Sequence, residues 1–106
     1  MKYQVTVLAP AESDMRRIAR WLADRSPDGA RAWLTAYPSM LDALASRATS
    51  FALTEENGEF DFEIRQALFK TRKGKPYRAV FTIAGNEVRV LRVLGPGQAP
   101  LSDPDI

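Results

Sequence analysis

The chain has 106 residues, of which 45% are hydrophobic and 26% are charged, and its formal net charge is +2. It contains no cysteine and no histidine, which excludes disulfides, thiolate metal sites, a cysteine nucleophile and a Ser-His-Asp triad. The length predicts one globular domain spanning residues 1–106. The sequence shows no signal-peptide pattern and no long apolar run, so we expect a soluble, cytoplasmic protein without membrane contact.

A strand and then a helix are predicted at the start of the chain. Residues 3–7 alternate apolar and polar side chains, as a half-buried strand does. Pro10 follows, and it suits the first position of a helix. The next apolar residues recur at intervals of three and four, which predicts a helix with one buried face lined by Met15, Ile18, Ala19 and Leu22.

A second helix is predicted to pack against the first as an antiparallel hairpin. Ser26 is expected to cap its start, with Pro27 at the first helical position. Pro38 lies inside the helical pattern, where its missing N–H is expected to kink or break the helix. Both tryptophans, Trp21 and Trp33, are expected to be packing residues of this hairpin.

The second half of the chain predicts a loop and three strands. Residues 48–59 show no periodicity and are predicted to be a loop. Alternation then predicts a strand over residues 60–65, and a basic turn over residues 71–76 precedes two longer strands over 77–83 and 88–94. The tail after these strands is too rich in Gly and Pro for a helix. Together these elements predict an α+β fold in the order β-α-α-β-β-β, a mostly antiparallel sheet with the helical hairpin on one face.

The last two strands are predicted to form a tight hairpin. Gly85-Asn86 is a two-residue turn signal between two apolar, alternating segments. A two-residue turn fixes the register of the strands, so the expected pairs are Ile83 with Val88 and Phe81 with Val90.

Charge is distributed unevenly along the chain. Residues 65–94 carry eight basic residues against Glu87 alone, whereas residues 51–64 carry five acidic residues and no basic one. A local excess of seven positive charges predicts either an anion-binding surface or a solvated charged face. The acidic segment matches no cation-binding loop, so we predict no metal and no cofactor.

Arginine and lysine are the candidates for polar chemistry, since histidine and cysteine are absent. Arg65, Arg78 and Lys70 are predicted to come from adjacent strands, where their charged groups could converge on a phosphate. Such a cluster would stabilise the charge that develops during RNA cleavage without a metal, and crowding of like charges would let a lysine serve as an acid or base. The alternatives are that these residues pair with the acidic segment or bind an acidic partner.

The sequence resembles the RelE/ParE superfamily of toxins from type II toxin–antitoxin (plasmid stabilisation) systems over nearly its whole length. The segments that carry the resemblance are Val5 to Met15, Ile18 to Leu22, Ala32-Trp33, Leu41 and Leu44, Ile64-Arg65, Pro76 to Ile83 and Val88 to Val93. The most specific features are an Arg at the end of one strand, a Tyr-Arg pair at the start of the next, and an apolar strand after a tight turn.

The resemblance implies a partner and a target. The partner is an antitoxin that wraps the toxin, and operator DNA is bound only through that antitoxin. RelE-like members cut mRNA on the ribosome, whereas ParE-like members poison DNA gyrase. For this chain the implied nucleic-acid or target-binding residues are Arg65, Lys73, Tyr77, Arg78, Arg89 and Arg92, and a nuclease would use Arg65, Arg78 and Lys70 in catalysis.

The end of the chain departs from the nuclease pattern. Residues 95–101 lack the basic residue that many members carry after the last strand, and no Tyr follows Tyr77. Loss of a charge-stabilising group costs a nuclease orders of magnitude in rate. We therefore expect a ParE-like gyrase toxin, with an mRNA endonuclease and a degenerate, non-toxic antitoxin-binding module as the alternatives.

Overall fold

The computed structural model describes residues 2–98 and residue 101 as two helices packed on a four-stranded mixed sheet. The helices are α1 (Ala9–Arg25) and α2 (Pro27–Arg47). The strands are β1 (Gln4–Val7), β2 (Arg65–Phe69), β3 (Tyr77–Ala84) and β4 (Glu87–Leu94). The predicted α+β fold and its element order are confirmed. No helix in this part of the chain is long and apolar enough to cross a bilayer.

The sheet has the strand order β1-β4-β3-β2, in which β1 runs parallel to β4 and the other neighbours are antiparallel. The predicted hairpin is confirmed in its turn and in its register, since Ile83 lies opposite Val88 and Phe81 opposite Val90. Gly85 has a φ of 63°, a conformation that glycine adopts at little cost and that this kind of turn requires.

Side chains on the two faces of the sheet enter two separate apolar clusters. The inner cluster lies under the helices and includes Trp33, Leu44, Phe81 and Val90. The outer cluster covers the opposite face and consists of Phe60, Ile64, Val80, Leu91, Leu94 and Leu101. The sheet is therefore buried on both faces, by helices on one side and by loop and tail residues on the other.

The hairpin of helices forms largely as the sequence predicts, with one correction, which is the exposure of Trp21. Ser26 accepts a hydrogen bond from the Gly29 N–H and so caps α2 as predicted. Helix α2 continues through Pro38 without a break, although proline supplies no N–H for the carbonyl of Leu34. Trp33 is buried, but Trp21 is 50% exposed, and the guanidinium of Arg25 from the same helix lies over its ring.

The region before β2 differs from its prediction in two ways. The expected loop contains two 3-10 helices, Ala48–Ser50 and Glu55–Glu59. The strand expected over residues 60–65 begins only at Arg65, because Phe60 and Ile64 pack into the outer cluster instead of extending the sheet. Residues 95–98 form a turn rather than a helix, as expected, and Ala99 and Pro100 lie outside the described residues.

A buried carboxylate connects α1 to β4. The pairing of β1 with β4 ends at Val90, and β4 then carries an irregularity that leaves Leu91 without a partner on β3. Beyond that point Asp14 of α1 accepts hydrogen bonds from the Val93 N–H at 2.9 Å and from Arg92 at 2.7 and 2.9 Å. We call these three residues, Asp14, Arg92 and Val93, the Asp14 cluster.

The environment of Asp14 favours its ionised form. Burial raises its pKa, but the hydrogen bonds from Arg92 and Val93 outweigh burial, and the pKa lies below its ordinary value. Arg17 adds a further hydrogen bond at 2.9 Å from the exposed side of the helix. The carboxylate thus accepts the backbone N–H of Val93, which lies on the part of β4 that has no β1 neighbour.

Substitution of Asp14 by alanine is expected to lower the free energy of unfolding by about 3 kcal/mol, because it leaves a partly buried guanidinium and a buried N–H without an acceptor. The matched control Arg17→Ala removes an ion pair whose arginine side chain is 57% exposed, and it leaves the Arg92 and Val93 contacts of Asp14 in place, so it should cost under about 1 kcal/mol. Urea unfolding followed by circular dichroism measures both. Equal losses in the two variants would contradict a structural role for the Asp14 cluster.

Candidate functional site

Arg65, a candidate from the sequence, lies at the first position of β2 and holds the preceding loop. Its Nη1 donates hydrogen bonds to the carbonyl oxygens of Phe51 at 2.6 Å and Thr49 at 3.4 Å. The Glu63 carboxylate is 3.9 Å away and largely exposed. Arg65 lies opposite Phe81, so its side chain belongs to the inner face of the sheet.

Arg78, the second candidate, is bound in a nearly buried ion pair on the outer face. Its two terminal nitrogens donate to the two carboxylate oxygens of Glu56 at 3.0 and 2.5 Å. The Gln66 side-chain oxygen accepts a third hydrogen bond at 3.0 Å. This is a bidentate ion pair, in which two N–H groups of the planar guanidinium donate to the two oxygens of one carboxylate.

Glu56 joins three parts of the chain around Arg78. It is 6% exposed, and it also accepts the Leu101 N–H at 2.9 Å. The hydrogen bond from Arg78 has the largest effect on the pKa of Glu56, and it lowers that pKa to about 2. Glu56 therefore fixes both the 3-10 helix before β2 and the backbone at Leu101 on the outer face.

Arg65 and Arg78 do not come together in this structure. In an antiparallel sheet directly opposed residues share a face: Arg65 lies opposite Phe81 of the inner cluster, and Arg78 lies opposite Leu94 of the outer cluster. Each guanidinium has its own acceptors on a different side of the sheet. Lys70 follows β2 and is exposed, and it borders a cleft between α2 and β2.

Two further candidates, Lys73 and Tyr77, border a second cleft. This cleft is also lined by Trp21 and Trp33. Tyr77 contacts Trp33 in an edge-to-face arrangement, with ring centroids 5.6 Å apart, and burial raises the pKa of its hydroxyl group. Lys73 lies in the basic turn and is exposed.

The last two candidates, Arg89 and Arg92, both contact carboxylates. Arg89 donates to Glu87 at 2.7 Å, and the hydrogen bonds from Thr6 and Arg89 hold the pKa of Glu87 below its ordinary value. Arg92 belongs to the Asp14 cluster. The described residues contain no group of three acidic side chains that could hold a metal ion.

The sequence did not reveal the roles of three residues. Asp14 and Glu56 are buried structural carboxylates, and Trp21 lies at the surface. Asp14 had a usable signal, because Ala11, Asp14 and Ile18 share the helical spacing of a buried face. Glu56 had none, because it stands within a run of acidic residues. Trp21 could not be recognised as exposed, since large aromatic residues in helices usually pack.

Acid is expected to destabilise the protein through Glu56. The folded-state pKa is lowered to about 2, so its contribution is fully present above the ordinary carboxyl pKa and is lost as the pH falls from about 5 to 2. That contribution is about 3 kcal/mol for a shift of this size. Thermal and urea unfolding across this pH range measure it.

Glu56→Gln should be less stable at pH 7 and should lose less stability on acidification than the parent chain. Glu63→Gln is the matched control, because Glu63 is 71% exposed, and its pH profile should follow that of the parent. If Glu56→Gln and the parent lose the same stability between pH 5 and 2, Glu56 is not the titrating group.

Comparison with known proteins gives a match at the level of fold. No protein-family model matches the chain, and no curated protein matches it. The structure is similar to a chain of a solved structure described as the chromosomal ParDE TA system from P. aeruginosa, with a TM-score of 0.67 and 17% sequence identity. The alignment covers 88% of this chain and 95% of that chain, so the two chains share a fold over nearly their whole lengths.

Proposed function

We propose that the chain is the toxin of a type II toxin–antitoxin system, of the ParE-like kind that poisons DNA gyrase. The observation that carries the proposal is the shared fold with a chain of the ParDE system over 88% of this chain and 95% of that one. The RelE/ParE resemblance of the strand and turn segments points the same way. The protein acts in the cytoplasm, a cognate antitoxin neutralises it, and operator DNA is reached only through that antitoxin.

The positions of the arginines favour gyrase over mRNA as the target. Metal-free cleavage of RNA needs several preorganised donors aimed at one phosphate. Arg65 and Arg78 lie on opposite faces of the sheet, and each donates to acceptors within the chain. Arg92 is held by Asp14. This arrangement supports a toxin that works by binding a protein target.

An mRNA endonuclease is the second candidate, and one observation favours it. Lys70 and Lys73 are exposed, and no hydrogen bond or ion pair occupies either side chain within the described residues. Basic groups of this kind are available to phosphates. A non-toxic module that keeps only the antitoxin contact is the third candidate.

Pulse labelling after induced expression in a bacterium tests the choice. Thymidine and amino-acid incorporation are followed at short intervals, and the purified chain is added separately to a gyrase supercoiling reaction and to a translation reaction. We expect thymidine incorporation to fall first and supercoiling to be inhibited, while mRNA in the translation reaction stays intact.

Lys70→Ala is the variant that separates the candidates, because it removes an exposed base without disturbing an internal ion pair. Arg31→Ala, an exposed arginine of α2 that pairs with Asp28, is its control. If protein synthesis falls first, mRNA is cut and Lys70→Ala abolishes cutting, the chain is a nuclease. If growth and both labels are unaffected while the chain is folded, the toxin proposal is wrong.

A further inference from the structure

Both tryptophans of the chain line one cleft between the helical hairpin and the basic turn before β3. Trp21 comes from α1 and Trp33 from α2. The cleft has a volume of about 560 Å³, which lies within the range of about 300–1,000 Å³ that is typical of small-molecule sites. We call it the tryptophan cleft, and the lining residues that matter here are Trp21, Gly29, Trp33, Lys73, Lys75 and Tyr77.

The inner wall of the tryptophan cleft is aromatic and preformed. Trp33 is 1% exposed, and its ring stacks on Tyr37 with centroids 5.4 Å apart and meets Tyr77 edge to face. Gly29 lies one helical turn before Trp33, on the same face of α2, and its lack of a side chain leaves space beside the indole. A ligand therefore does not have to order this wall when it binds.

The indole N–H of Trp33 is an unused donor. Its Nε1 is buried and has no acceptor among the described residues, whereas buried donors in folded proteins are nearly always hydrogen-bonded. Because Trp33 lines the tryptophan cleft, an oxygen of a bound ligand can supply the missing acceptor.

The rim of the tryptophan cleft is positively charged. Lys73 and Lys75 are exposed, and neither contacts a carboxylate within residues 2–98. No acidic residue lines the cleft. The Arg25 guanidinium lies over the Trp21 ring at 3.9 Å from its centroid, without lining the cleft itself. The charge of the rim is therefore complementary to an anion.

We propose that the tryptophan cleft binds a small aromatic carboxylate, with its ring against the aromatic wall and its carboxylate at the two lysines of the rim. Aromatic rings in stacked or edge-to-face contact gain more than their buried area alone provides. A carboxylate carries a single charge, so it costs less to desolvate beside apolar walls than a phosphate does. The ligand site does not depend on whether gyrase or mRNA is the target.

Nitrogen–proton correlation spectra of the labelled full chain test the proposal, because the two indole N–H groups give one signal each and both tryptophans line the cleft. Trp21→Phe assigns the two signals. The probe is 2-naphthoate, its uncharged counterpart is 2-naphthamide, and acetate is the anion without a ring. We expect 2-naphthoate to shift both indole signals and to bind about fivefold more tightly than 2-naphthamide, which corresponds to about 1 kcal/mol.

Three variants separate the contribution of charge from that of the rings. The double variant Lys73→Ala/Lys75→Ala should weaken the binding of 2-naphthoate about fivefold and leave that of 2-naphthamide unchanged. Trp21→Ala should weaken the binding of both compounds by a similar factor. Arg31→Ala is the control, because this exposed arginine pairs with Asp28 and does not line the cleft, and it should bind both compounds as the parent does.

Four results would overturn the proposal. The first is that 2-naphthoate shifts neither indole signal up to its solubility limit. The second is that 2-naphthamide binds the parent as tightly as 2-naphthoate, and the third is that acetate shifts the indole signals as 2-naphthoate does. The fourth is that Arg31→Ala loses as much affinity for 2-naphthoate as the folded double-lysine variant.

Discussion

The Asp14 carboxylate joins the first helix to the last strand, and the rest of the architecture depends on that connection. Strand β4 is central, but its pairing with β1 ends at Val90. An N–H on a strand edge inside a protein must find an acceptor or cost free energy. Asp14 accepts the Val93 N–H and holds Arg92 at the same time, so α1 replaces the missing strand along this edge.

A second carboxylate, that of Glu56, has the equivalent role on the outer face of the sheet. It pairs with Arg78 of β3 and accepts the N–H of Leu101, so one side chain fixes a loop and the end of the described chain against the sheet. The apolar residues beneath, including Val80 and Leu94, are thereby covered although neither α1 nor α2 lies on that face. Both buried carboxylates keep their charge because each has a guanidinium and a backbone N–H as partners.

These two contacts also shape the functional interpretation. Arg78 and Arg92 lie in the strongly basic stretch that suggested an anion-binding sheet, yet both are bound to carboxylates within the protein. The basic groups that stay available lie elsewhere, in the turn before β3 and along the outer side of α1. A run of basic residues in a sequence therefore shows where positive charge is concentrated along the chain. The carboxylates that the fold brings close decide which of those basic side chains can contact a ligand.

The sequence by itself determined the elements whose signals are local. The Gly85-Asn86 turn fixed the hairpin and its register, Ser26 fixed the start of α2, and the helical spacing around Ile18 fixed the buried side of α1. Only the tertiary structure decided the contacts between distant residues, such as Asp14 with Arg92 and Glu56 with Arg78. It also decided that β2 begins at Arg65, because the alternating residues before it meet the outer cluster. Periodicity reports which side of a segment is apolar, but the choice of ion-pair partners depends on which segments the completed fold brings into contact.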